Sequence, residues 1–208
     1  MTSASLDRWR QDRASQLDEL ISAHQLVGGA TAGRRWATGE LNRALILRLA
    51  AQFQGFARDL HQEAAFAFGT YAQPNSPAVA QVVATGMQAS RDLDRRNASA
   101  DALAKDFARL GLKLWEAMQE RDRRTSVRRS NLHWINMARN GLAHDDRSKL
   151  DLVVEAGYQL DLSTIRRWRR ALDGLAGTMD VVVADHLALS SRGQCHGRED
   201  RHDEVPKR

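Results

Sequence analysis

The order of apolar and polar positions along the chain predicts helices almost throughout. Leu6, Trp9, Leu17, Leu20 and Ile21 recur at helical spacing, so residues 5–25 read as an amphipathic first helix that ends near Gly28 and Gly29. From Thr38 to about Phe68, Leu41, Leu45, Leu49, Phe53, Phe56 and Leu60 step by threes and fours, while Ile46 and Leu47 add apolar surface on other faces. That pattern predicts a long central helix buried on more than one side. The stretch 69–77 (GTYAQPNSP) is dense in turn formers and marks a loop. Residues 78–91 and 99–120 follow as two further helices, the second with Leu103, Phe107, Leu110, Leu114, Trp115 and Met118 on one stripe and Ser99 or Asp101 as its cap. Another helix starts near Thr125 and ends at about Gly141 to Asp146, where glycine and two aspartates weaken helix propensity.

Leu150 to Leu162 (LDLVVEAGYQLDL) carries β-branched and alternating residues around Ala156 and Gly157, which predicts a small β-hairpin and the only sheet. Ser163 then caps a last helix to Leu189, with Ile165, Trp168, Leu172, Leu175, Met179 and Val182 inward. The expected fold class is all-α: an up-down helical bundle with one small β-hairpin before the last helix. Trp9, Trp36, Trp115, Trp134 and Trp168 occupy core-like positions and are expected to pack rather than to stack on bases. Beyond Ser190 the segment SSRGQCHGREDRHDEVPKR has almost no apolar residues, which predicts disorder.

With 208 residues, 42% of them hydrophobic, the chain can bury one substantial core but is short for two independent domains. The expected organisation is an N-terminal helix and linker over 1–35, a helical domain over 36–189 and a tail over 190–208. The lone Cys195 rules out an intrachain disulfide and fits a reducing compartment. Apolar runs such as Ala44–Leu47 and Val181–Ala184 are four residues long, and no apolar stretch follows the N-terminus, so neither secretion nor a membrane span is expected. Cytoplasm is the default location. Cys195, His196 and His202 supply one thiol and no second paired ligand at zinc spacing, so no metal site is predicted.

Charge changes the picture by its placement. The formal net charge is +5, yet residues 121–129 alone carry +4 through Arg121, Arg123, Arg124, Arg128 and Arg129 against Asp122. Arg166, Arg167, Arg169 and Arg170 add a second cluster of +4. Local clusters of this kind attract polyanions through counterion release, whereas a spread-out excess mainly affects solubility. Arg58, Asp59 and His61 on the long helix invite reading as an acid and base pair, but adjacent helical residues point apart, and a solvated face is expected there.

At 100° per residue the 125–144 segment sorts into an apolar group of Val127, Trp134, Ile135, Ala138 and Leu142 and an opposite group of Ser126, Arg129, His133, Asn136, Asn140 and His144. Two histidines and two asparagines make this polar face specialised. Arg139 falls roughly 140° from His144 on an ideal helix, so an undistorted helix keeps the two side chains apart. Bending after Asn140 at Gly141, a long arginine curling round the helix end, or a two-fold dimer would each reunite them.

The segment Arg139-Asn140-Gly141-Leu142-Ala143-His144 resembles the Arg-(polar)-x-x-x-His signature of HEPN (higher eukaryotes and prokaryotes nucleotide-binding) ribonucleases, carried at a helix end. The stretch 45–60 (LILRLAAQFQGFARDL) is similar to the early helix of those domains, and so is a short hairpin followed by a tryptophan-bearing final helix, giving coverage of about 36–189. The resemblance implies a metal-independent endoribonuclease of toxin or defence type. It would act as a homodimer on RNA without a cofactor, with an antitoxin protein as a further expected partner. On this reading Arg139, Asn140 and His144 are catalytic. Arg123, Arg124, Arg128, Arg129, His133 and Asn136 are the expected RNA-binding residues. The sequence departs from the family pattern at Asp146, where some relatives carry a tyrosine, and at Gln54, where relatives often carry an acidic residue. Two other readings are a non-catalytic RNA-binding or protein-interaction module and a DNA-binding regulator using Arg166 to Arg170.

Overall fold

The computed structural model describes residues 2–27 and 32–199, with side chains described for 2–26 and 37–191. The described residues are helical and contain no strand. In chain order the elements are α1 (Ala4–Arg8), a π-helical segment (Trp9–Arg13), α2 (Ala14–Val27), α3 (Ala32–Ala72), α4 (Pro77–Gln88) and α5 (Asp92–Arg95). They continue with α6 (Ala100–Ala108), α7 (Leu114–Arg121), α8 (Thr125–Ala143), α9 (Arg147–Glu155) and α10 (Leu162–Glu199). None of these helices is long and apolar enough to cross a membrane.

The long helix α3 is the axis of the molecule, with α4, α10, α2, α8 and the N-terminal run packed around it. Leu45, Ile46, Leu49, Phe53, Phe56, Ala57, Leu60 and Ala64 are all buried, so α3 is covered on several faces as its apolar spacing predicts. The N-terminal run joins the same core. Leu6, Trp9 and Leu17 are buried, and the Trp9 ring packs within 6 Å of Phe53 and Phe56 while its indole N–H donates to Asp173 at 3.0 Å. Trp168 is buried and Trp115 and Trp134 are partly so, in line with packing roles; the side chain of Trp36 lies outside the described residues.

Four sequence expectations are corrected. The predicted hairpin within 150–162 is absent: its first half is α9, started by Asp146, whose carboxylate accepts from the Lys149 amide at 3.2 Å and pairs with its ammonium at 2.8 Å. An isolated two-stranded hairpin is marginal in water. A capped helix instead lets Leu150 and Val153 pack inward, and the chain turns back at Gly157, where φ is +86°.

The predicted helix over 99–120 is two helices. Gly111, at φ +75°, stops α6 in the left-handed conformation that favours glycine, although the stripe Leu103, Phe107, Leu110, Leu114 and Met118 is buried throughout. Finally, α10 continues to Glu199, so 190–199 is helical where composition led to an expectation of disorder; 200–208 lies outside the described residues, as do the side chains of Cys195, His196 and His202.

His61 is the fourth departure. It is fully buried rather than on a solvated face, because it continues the stripe of Phe53, Ala57, Leu60 and Ala64. Its Nε2 meets the Asp106 carbonyl at 2.9 Å and its ring packs edge-on against Phe107. Asp59, half-buried, holds Arg8 at 2.6 Å and Arg13 at 2.7 Å, tying the N-terminal run to α3.

Candidate functional site

Helix α8 is held against the core by one apolar face and opens on the other. Leu132, Ile135 and Ala138 are buried, and the Thr125 hydroxyl donates to the Met118 carbonyl at 2.9 Å across the α7–α8 junction. Val127, grouped with the apolar set by its helical angle, is 62% exposed because it sits in the first turn, beyond the core. On the open face Asn136 donates to the Ala98 carbonyl at 3.0 Å, and Asn140 accepts from Asn97 at 2.6 Å. Arg139 also donates to the Asn140 amide oxygen, at 3.2 Å, so the guanidinium is steered by a neutral neighbour and has no carboxylate partner among the described residues.

The facing wall is the segment 91–99, which includes α5, and it is fastened from below. The buried Asp106 carboxylate accepts from the amides of Asp92 and Leu93, both at 2.9 Å. Arg91, 7% exposed, donates to the Arg58 carbonyl at 3.2 Å and grips Asp94 through two bonds of 3.1 Å. Gln54 donates its amide to the carbonyls of Leu93 at 2.8 Å and Arg96 at 2.7 Å. An ionised acid at this position offers acceptors only and would face two carbonyl oxygens, which gives Gln54 a reason independent of any family pattern.

Between α8 and this wall lies a cleft of about 480 Å³ whose lining includes Gln54, Arg95, Arg96, Asn97, Arg139 and Asn140. A second hollow, about 550 Å³, shares Ser99 and Asn136 with it and extends past Arg129 and His133 to Ser126. The two adjoin at Ser99 and Asn136 and together follow α8 as a groove, roughly 21 Å from residue 126 to 140 at 1.5 Å per residue. Arg95, Arg96 and Asn97 had no sequence signal of their own, and the Asp106 carboxylate, 14 and 13 residues from the Asp92 and Leu93 amides it holds, could not be read from local pattern.

His144 sits apart from this groove. It is exposed at the C-terminal end of α8, its amide bonded to the Asn140 carbonyl at 3.2 Å, and its side chain has no hydrogen-bond or charge partner among the described residues. It does not line the cleft that holds Arg139. Of the three ways in which the two side chains could be reunited, a bend at Gly141 is absent, since α8 is continuous through Ala143. Gly141 is there for close packing: a Cβ on it would lie 2.6 Å from a Leu150 methyl. The chain leaves α8 only at Asp145, whose φ is +49°. Asp146 is engaged by Lys149, whose side-chain and amide hydrogen bonds hold its carboxyl below the usual carboxylate range, so it does not pair with Arg139.

The arginines at the other end of α8 differ among themselves. Arg128 is 15% exposed and bound to Asp122 at 2.6 Å, with further contacts to the Gly174 carbonyl and Thr178 hydroxyl, so it is a structural group rather than a surface cation. Arg124 lies on Asp122 at 3.3 Å and Arg121 on Asp185 at 3.9 Å. The Arg124 amide, then the Arg124 and Arg128 side chains, hold the Asp122 carboxyl down at about 2. The Arg129 guanidinium lies 5.0 Å over the Trp115 ring and lines the groove. Arg123 is exposed and its side chain makes no hydrogen bond or ion pair among the described residues. His133, exposed, sets its ring edge-on to Trp134 at 5.0 Å. No protein-family model, curated protein or solved structure matches this chain.

Proposed function

We propose that the chain is a metal-independent endoribonuclease of HEPN type whose active site forms between two copies. The observation that carries this reading is the division of labour along α8. Arg139, held by Asn140, faces an open polar groove, while His144 stands exposed and unpartnered at the end of the same helix. Neither needs to be freed from a structural role before it can act. In one copy they do not share a cleft, so a two-fold axis near the end of α8 is the arrangement that would bring an arginine from one protomer to a histidine of the other.

The chemistry follows from the groups. A histidine, with an ordinary pKa of about 6.5, takes the proton from a ribose 2′-hydroxyl as its oxygen attacks the adjacent phosphorus. The P–O5′ bond breaks, and a protonated histidine returns a proton to the departing 5′ oxygen. The products are a 2′,3′-cyclic phosphate and a 5′-hydroxyl. Arg139 supplies a permanent bidentate charge to the pentacoordinate phosphorane, and Asn140, whose own Nδ2 has no protein partner among the described residues, positions both. Such an activity suits a toxin or defence ribonuclease kept in check by an antitoxin protein.

The test is cleavage of RNA by the pure protein in chelator, with the ends identified. His144→Ala is expected to lower the rate by roughly 10² to 10⁴ fold. Mixing inactive Arg139→Ala with inactive His144→Ala protein should restore part of the activity, because the mixed dimer holds one complete site. Full activity in His144→Ala would overturn the assignment. A second reading, a non-catalytic RNA-binding module, is favoured by the absence of His144 from the groove lining; it predicts RNA binding by the wild-type protein with no cleaved ends.

A further inference from the structure

The groove extends well beyond Arg139 and Asn140, and its far wall carries charge that the motif does not explain. Arg95, Arg96, Arg129 and Arg139 line it against two carboxylates, Asp94 and Asp101, of which Asp94 is already gripped by the buried Arg91. Arg95 and Arg96 are exposed and make no side-chain hydrogen bond or ion pair among the described residues. They stand on a segment fixed by Gln54 and Asp106, so their backbone needs no ordering when a ligand arrives.

We infer that this groove is a track for single-stranded RNA, in which Arg95 and Arg96 hold phosphates and His133 offers its ring to a base. The inference rests on the reading of α8 as the face that meets RNA, and it adds the strand's path and its second wall. The excess of guanidinium groups over free carboxylates selects a polyanion. The aromatic side of the groove selects exposed bases. His133 leans on Trp134, Trp134 lies 5.8 Å from Tyr158, and Tyr158 stacks on the buried Trp168 at 5.6 Å, so the exposed imidazole is the outer rung of a ladder rooted in the core. A base stacks on such a platform only when it is unpaired. The concave form points the same way: hollows of about 480 and 550 Å³ between a helix and a fixed turn admit the edge of one strand. The broad, shallow minor groove of an RNA duplex calls for a wider contact surface.

The experiment measures binding apart from cleavage. Full-length protein carrying His144→Ala, which spares the substrate, is titrated into a short fluorescent single-stranded RNA of mixed sequence while anisotropy is followed at several salt concentrations. Adding Arg95→Ala and Arg96→Ala should weaken binding and flatten the slope of log affinity against log salt by roughly 1.4, about 0.7 for each lost phosphate contact. Adding His133→Ala instead should weaken binding roughly tenfold with the slope kept, as loss of a stacking contact does. Arg166→Ala with Arg170→Ala removes the same charge from exposed positions outside the groove lining and should leave the slope in place.

An unchanged slope in the Arg95 and Arg96 variant would overturn the track, as would an equal effect from the Arg166 and Arg170 pair, tighter binding of duplex RNA, or no RNA binding at all. Failure of the cleavage assay with these binding results intact would sink the ribonuclease reading and leave the track standing. Cleavage by the wild type with the slope unchanged would do the reverse.

Discussion

The two ends of α8 treat arginine in opposite ways. At the N-terminal end the sequence is dense in positive charge, yet Arg128 is half-buried on Asp122, Arg124 shares that carboxylate, and Arg121 leans on Asp185. At the C-terminal end the charge is sparse, and Arg139 meets only a neutral amide at the edge of an open groove. Charge density along a sequence therefore misjudges which cations are available. An arginine within reach of a fixed carboxylate contributes to the fold, and one without such a partner remains able to meet an anion.

The largest effect expected from this contrast is on catalysis. Arg139→Lys keeps the charge but loses the planar fork, so cleavage should fall by roughly 100-fold with the thermal midpoint unchanged. Equal rates in the two proteins would show that Arg139 acts only as a diffuse charge. Arg128→Ala should show the opposite profile. It removes one of the two arginine partners of Asp122 and the contacts to α10, lowering Tm by roughly 5 °C in a scanning melt, with any RNA cleavage by the folded protein expected to persist.

Gly141→Ala comes next: Leu150 must move to admit the methyl, at about 1 to 3 kcal/mol in denaturant unfolding, with α9 loosened from α8. A hinge at Gly141 would instead change activity and leave stability alone.

The smallest effect is on pH dependence, and it again separates a fully buried group from a half-buried ion pair. His61 is held below its usual pKa chiefly by burial, then by Arg91 and Arg109, against the raising influence of the Asp106 carbonyl and carboxylate. The unfolded chain therefore binds a proton near pH 6.5 that the folded chain refuses. Stability is full above that value and declines as pH falls below it, by at most about 1.4 kcal/mol per pH unit until the folded pKa is reached. His61→Gln should remove that part of the slope. Asp122, held at about 2, works from the other side: its contribution is present above the ordinary carboxylate range and disappears only as pH falls from there through about 2. Unfolding curves between pH 7 and 5 thus report on His61 without interference from Asp122.

Much of the helical core was legible in advance because apolar spacing is a local signal. Leu45, Leu49, Phe53, Phe56 and Leu60 on α3, and Ile165, Trp168, Leu172, Leu175, Met179 and Val182 on α10, are buried as their periodicity predicts. What local pattern missed was decided by distant partners. Val153 and Val154 suggested a strand, but no second strand exists among the described residues and the Asp146 cap settles the segment as a helix. His61 was expected on a solvated face, and the packing of Phe107 against it cannot be read from the residues beside it. For the site, the polar face of α8 was visible as an arc containing His133, Asn136 and Asn140, whereas Arg95, Arg96 and Asn97 enter only through a turn of the chain more than 30 residues away. Arg128, counted among the RNA-binding residues by its neighbours, is drawn inward by a carboxylate six positions earlier and by α10.

The fastening of the α5 wall has a consequence for how this surface moves. The amides of Asp92 and Leu93 point at a carboxylate that is 1% exposed, in a segment bound to α3 through Gln54 and Arg91. Their protons should exchange with deuterium only when the whole domain opens, on the clock of the slowest core amides, whereas the His144 amide, held by a single hydrogen bond to Asn140 at the exposed end of α8, should exchange through local opening and much sooner. One half of the surface would thus be as durable as the fold itself, and the other would be free to settle against whatever docks there.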